Sequence, residues 1–123
     1  MTDLENVHID NFPTPRQIFH RIFDRGIPDY MIGGFDRYYR CGILPGSFAT
    51  AVMVNDLAGA CRHADDTNKR LLGEYVAMLY NDFPTACWGS TERVHEWNLA
   101  GGYEGLMAKA DQETAYDMEN ASV

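Results

Sequence analysis

The stretch from Gly42 to Ser90 constrains the fold most: GILPGS, an apolar run, HADDTN, a second apolar run, then PTACWGS. Pro45, Gly46 and Ser47 form a turn that ends in an N-cap, since a Ser hydroxyl can accept from the free backbone N–H groups of a first helical turn. Phe48, Ala51, Val52, Val54, Leu57, Ala58 and Cys61 then form a wide apolar surface at helical spacing. Asn55 and Asp56 interrupt it, and they sit on its polar edge or make buried hydrogen bonds. Asp65 or Asp66 caps the next run, whose stripe is Leu72, Val76, Leu79 and Phe83, and Pro84 stops it. The short connection predicts an antiparallel helical hairpin over residues 47–83.

The flanks read the same way. Thr14 before Pro15 starts a helix, with Ile18, Phe19, Ile22 and Phe23 on one face, and Gly26 with Pro28 ends it. Met31, Phe35 and Tyr38 continue the helical period across Gly33 and Gly34, and Gly42 supplies the stop. Adjacent glycines in a helix point to close packing by a neighbour, or to a ligand's approach. Ser90 caps a further short helix through Val94 and Trp97, ended by Gly101 and Gly102, and a weak acidic helix follows. There is no strand alternation and no internal repeat. The expected fold is all-α, five or six short helices around the hairpin, with an acidic extension over 1–13, a helical domain over 14–102 and an acidic, weakly helical or mobile tail over 103–123.

Charge decides which partners suit such a chain. Of its net −8, residues 1–10 contribute three acids and no base, and residues 104–123 contribute five acids against Lys109. Between them lie ten acids and nine bases. Seven Tyr, six Phe and two Trp in 123 residues exceed what a disordered chain holds, so the acidity belongs to the ends of one folded domain. Nucleic-acid binding needs a basic stripe, and none is present. A protein with a basic surface is the better electrostatic match; solubilisation is the alternative. The start, MTDLENVHID, has neither a positive beginning nor an apolar run and so does not read as a signal peptide, and no apolar stretch approaches about 18 residues. Cys41, Cys61 and Cys87, an odd number without CxxC spacing, fit free thiols in a reducing cytoplasm.

The chemical motifs are sparse. Glu92 and His95 form a single ExxH pair, where dinuclear sites need two copies and more carboxylates. Cys61, His63 and Cys87 lack the paired spacings of structural zinc sites, and no nucleophile signature exists. No metal, cofactor or catalytic residue is assigned, and the expectation is a non-enzyme. Two helix starts offer N–H groups to an anion: Gly46 with Ser47, just after Arg37 and Arg40, and Gly89 with Ser90, beside Trp88 as a stacking platform. These seven residues are the candidates for a nucleotide-like ligand. Tyr38 and Tyr39, among more aromatics than the helix faces bury, and the acids Asp111, Glu113, Asp117 and Glu119 are the candidates for a partner surface.

The block from Ile27 to Asn68, followed by LYNDFP and CWGSTERVHEW, resembles a family of small uncharacterised proteins from tailed bacteriophages and prophages. The resemblance covers about residues 27–98 and rests on Arg37–Tyr38, Gly46–Phe48, Ala51–Val52, Asn55–Leu57, Ala64–Asp65 and Trp88–Ser90. It implies a phage origin and a life in the host bacterial cytoplasm, and it carries over no functional residue. The class suggests a protein that binds and disables a host protein, including anti-CRISPR and other anti-defence inhibitors. A nucleotide-sequestering module is the alternative, and a homo-oligomeric structural protein the third expectation.

Overall fold

The computed structural model describes Leu4 and residues 8–121, of which 115–121 as backbone only. Among the described residues all regular structure is helical: α1 (Pro15–Asp24), α2 (Asp29–Cys41), α3 (Ser47–Met53), α4 (Leu57–His63), α5 (Asp66–Arg70), α6 (Leu72–Asp82), α7 (Thr91–Ala100) and α8 (Gly102–Ala121), with 3-10 turns at Ile9–Asn11 and Thr85–Cys87. The all-α class therefore holds, and among the described residues eight α-helices stand where five or six were expected.

The difference arises at two breaks. The apolar run from Ser47 stops at Val54, because Asn55 takes the left-handed conformation (φ 70°) and Asp56 then caps a new helix by accepting from Gly59 N at 3.0 Å. Asn55 and Asp56 thus form a turn within the run, and α3 and α4 fold onto each other. The second run splits at Leu71 (φ −98°, ψ 6°) into α5 and α6. In place of two long antiparallel helices there are four short ones, with α3 packed against both α4 and α6. Exposure follows the breaks: Leu57 and Val76, both expected on apolar faces, are open to solvent.

The helix starts obey local chemistry. Thr14 and Gln17 form a reciprocal capping box, Thr14 N to Gln17 Oε1 at 2.9 Å and Gln17 N to Thr14 Oγ1 at 3.2 Å, with Pro15 in the first turn. Ile18 and Ile22 of α1 are buried, whereas Phe19 and Phe23 lie beyond the edge of the buried stripe and are exposed.

Along α2, Ile32, Phe35, Tyr38 and Tyr39 are buried, and this helix packs against both α1 and α8. Its double glycine answers no tight approach by a neighbouring helix: a Cβ on Gly34 would rest 3.5 Å from Pro45 Cβ, an ordinary contact. The core is a chain of aromatic contacts. Trp97 stacks on Tyr39 (centroids 5.4 Å apart), and Tyr39 meets Phe83 edge-on at 5.6 Å. Phe35 stacks on Tyr75 at 5.7 Å, and Phe48 meets Tyr75 edge-on at 5.0 Å. Burying each ring stabilises the fold by roughly 1.5–3 kcal/mol before entropy is counted.

The close backbone approach lies elsewhere, where the end of α2 meets the turn between α7 and α8. Gly42 (φ 75°) and Gly102 (φ 66°) face each other so tightly that a Cβ on Gly102 would stand 2.5 Å from Gly42 N. Asn98 Nδ2 donates to Gly42 O at 2.7 Å and pins the junction.

Candidate functional site

The two helix starts expected to hold a ligand are built differently from each other. Gly46, not Ser47, is the N-cap of α3; Ser47 is its first residue, exposed, and no side chain caps that end. The connection before it is tied down instead by Thr50 Oγ1, which donates to Pro45 O at 3.0 Å. Arg37 is exposed, and Arg40 is engaged by Asp36 at 3.1 Å one turn earlier.

At the other turn, Ser90 caps α7 as expected, its Oγ accepting from Arg93 N at 3.1 Å. Gly89 (φ 108°) donates its N–H to Met53 O at 2.7 Å and so holds the turn to the end of α3. The Trp88 indole N–H is buried without a hydrogen-bond partner among the described residues.

Tyr38 and Tyr39, expected on a partner surface, are core residues with no exposed area. Each sends its hydroxyl to a backbone carbonyl, Tyr38 to Cys87 O and Tyr39 to Pro13 O, both at 2.6 Å. Burial holds both phenols protonated well above the usual tyrosine range. The surplus of aromatics is absorbed by an interior richer in rings than the helix stripes predict. Tyr30 and Tyr80 do stay exposed. Asp111 and Glu113 are exposed on α8, and the side chains of Asp117 and Glu119 lie outside the described residues.

A concave site forms where sequence reasoning saw only a helix end and a tail. Gly101 (φ 79°) and Gly102 turn the chain from α7 into α8, and Gly105 lets α8 start against Ala100 O, where a Cβ would collide. Between the two helices lies a cavity of about 480 Å³. Leu99 and Ala100 of α7, Leu106 and Ala110 of α8, and Leu4 and Ile9 from the N-terminal segment supply its apolar lining. Glu96, Lys109 and Glu113 supply its charge. Leu99 is 71% exposed. The signal in the chain was the spacing Leu106, Lys109, Ala110, Glu113, one face of α8, together with the three glycines before it.

A second cavity is polar. Arg21 of α1 and Arg25, its C-cap, meet Glu74 and Asp82 of α6 there, with Arg25 Nε 3.0 Å from Asp82 Oδ2. The hydrogen bond that Arg25 donates to Asp82, above all, holds its guanidinium charged. Surface pairs of this kind contribute little stability, and the group is a clamp between α1 and α6.

Neither Cys41 nor Cys87 is an activated thiol. Burial pushes the Cys87 thiol up, and it donates to Pro84 O at 3.1 Å. Cys41 is raised by partial burial and then by Glu104. Glu92 and His95 are exposed, and among the described residues no group of three or more His, Cys, Asp or Glu could hold a metal ion. Nor is any described helix long and apolar enough to cross a membrane. No protein-family model, curated protein or solved structure matches this chain.

Proposed function

We propose that this chain is a non-enzymatic accessory protein of phage origin that binds and inhibits a host protein in the bacterial cytoplasm, as an anti-CRISPR or other anti-defence inhibitor. The observation that carries the binding reading is the groove between α7 and α8, an apolar concavity with an exposed Leu99 at its edge and an acid-rich helix as one wall. Apolar centres with polar rims are where protein interfaces gain their energy, and acidic walls select basic partners. The phage resemblance and the acidity of both ends support the host-directed part.

Affinity capture on the tagged chain from host lysate, read by mass spectrometry, tests it. One partner should be recovered in stoichiometric amount and released between about 0.1 M and 1 M salt, as the screening length falls from about 10 to about 3 Å. A small molecule co-purifying with no protein partner overturns it.

A second reading, sequestration of a nucleotide-like ligand at Trp88–Ser90, is favoured by the unpartnered indole N–H. A ligand at about 100 times its Kd adds about 2.7 kcal/mol to native stability. An unchanged Tm across cyclic and dinucleotides removes that reading.

A further inference from the structure

We infer that the groove between α7 and α8 is a docking site for an amphipathic helix of a partner protein, one whose polar face is basic. This rests on the protein-binding reading and names the partner's chemistry. The groove follows Leu106 to Glu113, two turns of α8 and about 10 Å along its axis. That matches the span of the i, i+3, i+4 and i+7 anchors with which a helix seats its apolar face.

Charge selects the occupant. Glu96 and Glu113 outnumber Lys109 in the lining. A second copy of this chain, itself at −8, would bring acids against acids. A basic helix brings Lys or Arg to them. Leu99, apolar and open at the rim, is the contact most available to such a helix.

The test titrates the full-length, isotope-labelled chain with two synthetic peptides of roughly 18 residues, one amphipathic in Leu and Lys, the other with Glu in place of Lys. The Leu/Lys peptide should bind saturably and move the amide signals of Glu96, Leu99, Leu106 and Lys109; the Leu/Glu peptide should bind at least about tenfold more weakly. Leu99→Lys combined with Glu113→Lys alters two exposed side chains, so the fold should keep its circular dichroism melt while Leu/Lys affinity falls about tenfold or more.

Equal binding of the two peptides, or shifts confined to other helices, overturns the proposal. So does a dimer of the chain alone that Leu99→Lys dissociates, because a second copy would then own the groove. Capture of the same host partner by wild type and by the double variant also overturns the groove while leaving the host-binding reading intact. Capture of no partner, with the peptide result as expected, leaves the groove and removes that reading.

Discussion

Tyr38 carries its phenol into the interior and spends its one donor on Cys87 O, so a single oxygen ties α2 to the turn before α7. Tyr38→Phe keeps the ring and leaves that carbonyl unmet. The expected loss is about 1–2 kcal/mol, seen as a lower urea midpoint at unchanged slope. Asp65 is a different kind of residue, exposed and poised by its partners. It accepts from the Tyr30 hydroxyl and from Asn68 N, and these bonds, Tyr30's first, hold its carboxyl below the ordinary range. A carboxylate depressed in the folded state contributes stability above its unfolded pKa and loses it as pH falls through the folded one. Stability should therefore decline below about pH 4, and Tyr30→Phe should shrink the difference between neutral and acid. Urea midpoints at the two pH values check this, and an unchanged difference would show that Tyr30 does not poise the cap.

At the scale of elements, the glycines separate two demands that look alike in a sequence. Gly102 starts α8 at φ 66° with Gly42 N within 2.5 Å of any added Cβ, so Gly102→Ala faces both strain and collision. It should cost more than about 2 kcal/mol. Gly73, inside α6, meets nothing within 4 Å, and Gly73→Ala should stabilise by about 0.5–1 kcal/mol. Thermal melts of the two variants should move in opposite directions. The signals at helix ends were legible because they are local: Thr14 with Pro15, Asp65, Ser90, Gly42 and Gly101 act on their own first or last turn. The turn at Asn55 was not, because apolar spacing resumes beyond Asn55 and Asp56 as far as Cys61, so the pair reads as a polar edge, and only a tertiary fold of α3 onto α4 rewards a left-handed Asn. The groove was hidden for the same reason. Leu4, Ile9, Leu99 and Leu106 are scattered along the chain and meet only once α8 packs on α2 and α7.

The whole molecule is held by an interior in which tyrosines do the work of aliphatic residues. Three of the seven, Tyr38, Tyr39 and Tyr75, have no exposed area, and burial, above all, raises each phenol beyond the usual range. Tyr75 donates to the buried Asn68 Oδ1 at 2.6 Å, so all three hydroxyls are committed as donors and have no route to ionise in place. An acid whose folded pKa is raised keeps its proton where the unfolded chain would release it. Its contribution is fully present below the unfolded value, near 10, and is lost as pH rises beyond it. The protein should therefore unfold cooperatively in alkali, with the last tyrosinate absorbance appearing together with loss of the far-ultraviolet helix signal. A smooth titration of Tyr38, Tyr39 and Tyr75 with helicity retained would mean that the ring-to-ring core from Phe48 through Tyr75, Phe35 and Phe83 to Tyr39 and Trp97 is open to water, and the packing that frames the α7–α8 groove would fall with it.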